Sequence, residues 1–74
     1  MSARPQKHSL TLKGHRTSVS LEDAFWSAFR EIATRDDRTL NDLAAEIDAA
    51  RDSKTGLASA IRVYILRDIQ GFTL

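Results

Sequence analysis

The strongest constraint on the fold is a change in the spacing of apolar residues near Leu21. Before this point apolar and polar residues alternate with a period of two, which is typical of a β-strand. After it, apolar residues recur every three or four positions, which is typical of amphipathic helices. The sequence therefore predicts an α+β protein, mostly helical, with a short β-segment ahead of its helices.

The alternation between Ser9 and Leu21 changes parity at Gly14. Leu10 and Leu12 lie on even positions before the glycine, whereas Val19 and Leu21 lie on odd positions after it. A two-residue hairpin turn, formed by Gly14 with the residue before or after it, would return all of them to one face. A bulge or a kinked arm at Gly14 is the alternative.

With either hairpin turn, the polar side chains of both strands lie together on the face opposite the apolar one. These residues are Ser9, Thr11, Arg16, Ser18 and Ser20. The face would be rich in hydroxyl groups and would carry an arginine.

Three helices are expected after the β-segment. The first runs from Asp23 to about Arg35, and the second follows Thr39, a good N-cap with Asp42 three residues later. The loop 51–56 separates it from a third helix, Leu57–Gln70. The third helix is apolar on most sides, which favours a position at a subunit interface.

Size and composition restrict how the chain can be stabilised. At 74 residues it forms one small domain, and it has no cysteine for disulfides or for most structural zinc sites. His8 and His15 lack a metal-ligand pattern, so we expect no metal and no cofactor. Self-association is then the expected source of stability. The predicted organisation is a flexible basic lead-in, residues 1–8, and a folded domain, residues 9–74.

Neither a membrane span nor a secretory signal is predicted. The chain contains no run of about 18 apolar residues and no apolar stretch of signal-peptide length near its start. We therefore expect a cytoplasmic protein with no membrane partner.

Charge is divided unevenly along the chain. Residues 1–21 carry four basic side chains and no carboxylate, whereas residues 22–74 carry seven basic and ten acidic ones. The overall charge of +1 thus conceals a basic arm on an acidic body, which favours contact between the arm and a polyanion.

No catalytic motif is present. The sequence contains neither a glycine-rich phosphate loop, nor a Gly-x-Ser-x-Gly motif, nor a cysteine nucleophile. Glu46 and Asp48 are two residues apart on a predicted helix and do not face each other. We expect no enzymatic activity.

The segment from Arg16 to Leu21 is suited to reading DNA. Two such strands paired about a two-fold axis make a ribbon that fits the major groove of B-DNA, about 12 Å wide. Its outward face would present Arg16, Ser18 and Ser20 to base edges. The same three residues are equally ordinary on the exposed face of any half-buried sheet.

The chain resembles the ribbon-helix-helix DNA-binding domains. The resemblance is carried by the strand and first helix, Arg16-Thr-Ser-Val-Ser-Leu-Glu-Asp-Ala-Phe-Trp26, and by Asp37-Arg38-Thr39-Leu40-Asn41 at the start of the second helix. It covers about residues 9–70. In detail the chain is similar to a small bacterial subgroup with a Gly-His-Arg-Thr-Ser strand.

This resemblance implies an intertwined homodimer whose paired strands enter the major groove. Base contacts would fall on Arg16, Ser18 and Ser20. Phosphate contacts at the start of the second helix would fall on Thr39 and Asn41. If the third helix plays the family's second-helix role instead, residues 55–59 inherit those contacts.

The N-terminal arm and two further side chains allow several interpretations. The segment Ser9–Lys13 is expected either to add outer strands to the ribbon or to act as a basic arm that follows the DNA backbone, with Lys7, Lys13 and His15 as phosphate contacts. His15 is alternatively a turn residue. Trp26 is interpreted as dimer core or as a partner surface. Arg62 is expected to pair with an acid such as Asp48 or to extend into solvent.

Two functions follow from these patterns. The first is a homodimeric DNA-binding protein, a transcriptional regulator or the DNA-binding half of an antitoxin, with double-stranded DNA and itself as partners. The alternative is a dimeric protein-interaction module, antitoxin-like or adaptor, that keeps the fold without sequence-specific DNA binding. The near-neutral net charge favours the alternative, since dedicated DNA binders are usually more basic.

Overall fold

The computed structural model describes residues 4–71. Two antiparallel strands, β1 (Gln6–Leu12) and β2 (His15–Leu21), come first. Three helices follow: α1 (Asp23–Arg35), α2 (Leu40–Ala50) and α3 (Leu57–Ile69). The predicted order of a β-segment followed by three helices is confirmed.

The strands form a hairpin with a two-residue turn at Lys13 and Gly14. Both residues have positive φ, 51° and 87°, as a turn of type I′ requires. Leu12 pairs with His15, so the residue numbers of cross-strand partners have an odd sum throughout. This is one of the two predicted hairpins, and it puts the apolar residues of both strands on one face.

Strand β1 begins at Gln6, three residues before the start of the alternating pattern. Gln6, Lys7 and His8 pair with Leu21, Ser20 and Val19. Part of the segment predicted as a lead-in is therefore strand, while residues 1–3 of it lie outside the described part of the chain.

The helix boundaries follow local capping chemistry. Thr39 Oγ1 accepts a hydrogen bond from the amide of Asp42 at 3.0 Å, which confirms the predicted N-cap of α2. Helix α1 ends at Arg35, and Asp36 is its C-cap. The next residue, Asp37, adopts a left-handed φ of 54° that redirects the chain. Helix α3 starts after Gly56.

One apolar core joins the hairpin to all three helices. It collects the inward side chains of each element: Leu10, Leu12, Val19, Leu21, Phe29, Ile32, Ala33, Leu43, Ala44, Ile47, Ile61 and Ile65. Within the described residues, no polar or charged residue is buried in it. The sheet thus lies with one face on the helices and the other in solvent.

An ion pair fastens the end of α3 to the end of α1. Arg35 Nη1 and Nη2 donate to the carboxylate of Asp68 at 3.0 and 2.8 Å, and Arg35 Nε donates to Asp36 at 2.9 Å. These bonds raise the pKa of Arg35 and lower the pKa of Asp36, because each charge stabilises the other.

Candidate nucleic-acid interface

The solvent face of the hairpin is polar along its whole length. Arg16, Ser18 and Ser20 of β2 are exposed and point away from the core. The register puts Thr11 opposite Arg16 and Ser9 opposite Ser18, as the alternation predicts. The earlier start of β1 adds Lys7, opposite Ser20, to the same face.

The hairpin carries only positive charge. From Arg4 to Leu21 the described chain contains four basic side chains and no carboxylate. Lys13 lies in the turn, and the exposed His15 begins β2 beside it. Both predicted phosphate contacts of the arm are therefore at the hairpin tip, next to Arg16.

The outer edge of β1 is held by α2. Asn41 Oδ1 accepts a hydrogen bond from the backbone amide of Thr11 at 3.1 Å. The Thr11 amide thus points away from β2, which makes Thr11 and Arg16 a non-hydrogen-bonded pair of the ladder. Because ladder bonds alternate, the backbone groups of Arg16, Ser18 and Ser20 point to the outer edge of β2.

The outer edge of β2 is the open one. In the part of the chain described here, Arg62 approaches this edge at one end, where its Nη2 lies 3.4 Å from the carbonyl oxygen of Ser20. This contact agrees with the alternation, since Ser20 and Arg16 share their direction. An unpaired strand edge is a template for another strand.

Thr39 and Asn41, the predicted phosphate contacts, both have intramolecular bonds. Thr39 caps α2, and Asn41 holds β1. A surface groove nevertheless brings Asn41 together with Lys13 and Arg38 beside the start of α2. Arg38 in this groove is bound to Glu46, which keeps the pKa of Arg38 above its ordinary value.

The alternative phosphate contacts lie in the approach to α3 and its first turn. Thr55 donates its backbone amide to the carbonyl of Asp52 at 2.9 Å, and its own carbonyl accepts from Arg51 Nη1 at 2.7 Å. Gly56 provides no side-chain cap to α3. The side chains of residues 55–59 that carry hydroxyl groups are Thr55 and Ser59.

Arg62 joins α3 to the start of α1. Its Nη2 and Nε donate to Glu22 Oε1 at 2.8 and 3.0 Å, and its guanidinium lies 5.6 Å from the centre of the Phe25 ring. Arg62 holds the pKa of Glu22 below its ordinary value, chiefly through these hydrogen bonds. The prediction that Arg62 pairs with an acid is confirmed, but the acid is Glu22 and not the suggested Asp48, whose carboxylate binds Arg51 at 2.7 Å.

Trp26 is partly buried and packs against strand β1. Its ring is stacked on the imidazole of His8, with centroids 3.8 Å apart and planes inclined by 4°. Trp26 also lies against Phe29, at 6.3 Å between ring centres. The sequence does not predict the stack, because no local pattern relates positions 8 and 26.

An apolar row remains exposed on α3. Val63, Leu66 and Ile69 are 48%, 51% and 72% exposed, and they follow one another at three-residue steps. Leu66, in the middle of the row, is four residues after Arg62, so the two side chains are neighbours on the helix surface. Arg62 in turn contacts the open edge of β2 through the carbonyl oxygen of Ser20.

The described residues offer no other obvious site. Residues 4–71 contain no group of three His, Cys, Asp or Glu side chains that could hold a metal ion. In that same range, no helix is both long and apolar enough to cross a membrane.

A hairpin with one open edge, followed by helices that cover its inner face, defines a class of small proteins built on a β-ribbon and helices. The family model of the ribbon-helix-helix domain, which describes sequences, matches residues 5–69 of this chain, nearly its whole length. The chain belongs to the ribbon-helix-helix family, whose members commonly bind DNA as dimers. No curated protein and no solved structure matches the chain at a significant level.

Proposed function

We propose that this protein is a homodimeric, cytoplasmic transcriptional regulator that inserts two paired β2 strands into the major groove of DNA. The observation that carries the proposal is the combination of an open β2 edge with an exposed, acid-free face of Arg16, Ser18 and Ser20. The edge supplies the dimer, and the face supplies the contacts to DNA.

The open edge favours antiparallel pairing of β2 with β2 of a second copy. Ser18 is the midpoint of the seven-residue strand, so pairing along its full length puts Ser18 on the two-fold axis. Arg16 then lies opposite Ser20 of the second copy. The outward backbone groups of these residues are the ones that such a ladder needs.

The apolar row on α3 supports the same dimer. Leu66 and its neighbours Val63 and Ile69 are about half exposed or more in the single chain, which leaves them outside its core. In a dimer, this row is the surface of α3 that a second copy would bury. An exposed row of large apolar side chains on a small domain is typical of an association surface.

The chemistry of the strand face suits base recognition. Arginine can donate two hydrogen bonds to the O6 and N7 atoms of guanine, and serine can donate or accept at several base edges. We assign base contacts to Arg16, Ser18 and Ser20. Phosphate contacts are assigned to the residues around the hairpin tip and the start of α2: Lys13, His15, Thr39 and Asn41.

Fluorescence anisotropy with a random-sequence DNA duplex tests this proposal. If the dimer neutralises about six phosphates, its affinity should fall roughly a thousandfold between about 50 and 200 mM salt. On a duplex sequence enriched by the wild type from a random pool, Arg16→Ala should weaken binding by about 1–3 kcal/mol for each bidentate arginine–guanine pair that it removes. Arg30→Ala is the matched control, because it removes an exposed arginine on α1, and it should bind as the wild type does.

Two results would contradict the mechanism. Binding that is unchanged by Arg16→Ala and by salt would show that the strand face does not contact DNA. Absence of duplex binding at low salt would favour the protein-interaction module, which needs the same dimer but no DNA contact.

A further inference from the structure

Strand β1 changes the width of the surface that a dimer would present to DNA. Pairing of two β2 strands places β2 in the centre and leaves each β1 on the outside, because the outer edge of β1 is already held by Asn41. The dimer would therefore present a sheet of four strands rather than a ribbon of two. This step rests on the dimer proposed above.

The four-stranded sheet is wider than the groove that it approaches. Neighbouring strands lie about 4.8 Å apart, so the two central strands fit easily within a major groove about 12 Å wide. The outer strands lie three spacings apart, about 14 Å. They reach the walls of the groove, which are formed by the phosphate backbones.

The exposed face of β1 has the chemistry that phosphates require. It carries Lys7, Ser9 and Thr11, all exposed and all on the face that holds Arg16, Ser18 and Ser20. An ammonium group and two hydroxyls are common ligands of phosphate oxygens in protein–DNA complexes. The nearest residues of the hairpin add no carboxylate that would repel the backbone.

We infer that β1 is a phosphate-binding strand, with Lys7, Ser9 and Thr11 of each copy contacting the two walls of the groove while β2 reads the bases between them. The two strands of one hairpin thus have different roles in DNA binding. Contacts from β1 give affinity and orientation without sequence preference, whereas contacts from β2 give sequence discrimination.

The test uses the full chain and a random-sequence duplex pool, with the bound fraction sequenced and the affinity measured over a range of salt. Lys7→Ala should reduce affinity equally for all sequences. If each Lys7 neutralises one phosphate, the dimer's slope of log affinity against log salt should become shallower by about 1.8. The sequences enriched from the pool should stay the same.

Hydroxyl variants and controls complete the design. Ser9→Val with Thr11→Val removes both hydroxyls and introduces residues that are favoured in strands. This variant should lower affinity with no change in the enriched sequences. Lys54→Ala, in the loop after α2, removes an exposed lysine elsewhere and should leave the salt slope unchanged. Circular dichroism confirms that each variant is folded.

The outcomes separate this inference from the function on which it rests. The role of β1 would be overturned if the Lys7 and hydroxyl variants had the affinity and salt slope of the wild type while Arg16→Ala bound more weakly. The DNA-binding dimer would still stand. A change of enriched sequences in Lys7→Ala would show that β1 reads bases, which also overturns it. A wild type that binds no duplex would overturn both proposals.

Discussion

The side-chain oxygen of Asn41 accepts a hydrogen bond from the backbone amide of Thr11 at 3.1 Å, and this bond joins the start of α2 to the outer edge of β1. Asn41→Ala would leave the amide without its partner and weaken the attachment of the hairpin. We expect the free energy of unfolding in urea to fall by about 0.5–1.5 kcal/mol, the net contribution of a typical hydrogen bond.

Asn41→Asp separates this structural role from a phosphate contact. An aspartate keeps an acceptor oxygen for the Thr11 amide, so stability should remain close to that of the wild type. The added negative charge beside Lys13 would oppose a nearby phosphate. Duplex affinity well below that of the wild type, in a protein of unchanged stability, is the expected result. Unchanged affinity would remove Asn41 from the interface.

The turn of the hairpin makes a second prediction, at Gly14. Its φ is +87°, which side chains of L-residues rarely adopt, and no atom would contact an added Cβ within 4 Å. Gly14→Ala should therefore destabilise through backbone strain alone, by about 1–2 kcal/mol in thermal or urea unfolding.

Gly56→Ala is the matched control. Gly56 also has open space around an added Cβ, but its φ is −67°, an ordinary value for any residue. The free energy of unfolding should change less in Gly56→Ala than in Gly14→Ala, because two small effects oppose each other. Alanine is a poorer N-cap residue than glycine, but it lowers the conformational entropy of the unfolded chain. Equal losses at the two glycines would argue against a strained turn.

The amino-acid pattern predicts much of this fold because its signals are local. The parity change at Gly14 determines the hairpin and its faces, and the capping chemistry of Thr39 determines where α2 starts. The start of β1 at Gln6 has no such signal, since Gln6, Lys7 and His8 are all polar. That part of β1 is stabilised by pairing with β2 and by the contact of His8 with a ring on α1.

The partner of Arg62 shows why contacts around the candidate site are difficult to predict from the sequence. Glu22 is forty positions away in the chain, whereas the expected partner, Asp48, is closer and is already bound to Arg51. Only the packing of α3 against the end of β2 brings Arg62 to Glu22. The residues assigned to DNA contact stay predictions, because they rest on the exposed face and the family and not on a bound duplex.

The contact between Arg62 and Glu22 makes a pH-dependent prediction. Hydrogen bonds from Arg62 lower the pKa of Glu22 from its ordinary value of 4.5. The carboxylate therefore stabilises the fold above about pH 4.5, and this contribution is lost as the pH falls through the lower pKa of the folded state. The melting temperature of the wild type should fall more steeply in acid than that of Glu22→Gln.

An NMR titration of the Glu22 side-chain carboxyl isolates this effect from other carboxylates, such as Asp36, whose pKa is also lowered. The midpoint should lie below 4.5 in the wild type and rise in Arg62→Ala. Arg67→Ala removes an exposed arginine from the same helix and should leave the midpoint unchanged. An identical midpoint in Arg62→Ala and the wild type would contradict the assigned cause.

The apolar row on α3 makes the last prediction, which concerns the dimer. Leu66 is 51% exposed in the single chain, between Val63 and Ile69. If the row is buried between two copies, Leu66→Glu places two carboxylates in an apolar contact and removes burial worth at most about 1.5–3 kcal/mol from each copy. Light scattering after size exclusion should give a dimer for the wild type and a monomer for Leu66→Glu.

A charge at an exposed position outside α3 separates burial of the row from a general effect of an added carboxylate. Lys54→Glu, in the loop after α2, should remain dimeric, because residue 54 is exposed and lies outside the row. A dimer that tolerates Leu66→Glu would place the contact between the copies elsewhere. A monomeric Leu66→Glu should also fail to bind the duplex, since each copy alone presents only half of the paired β2 strands.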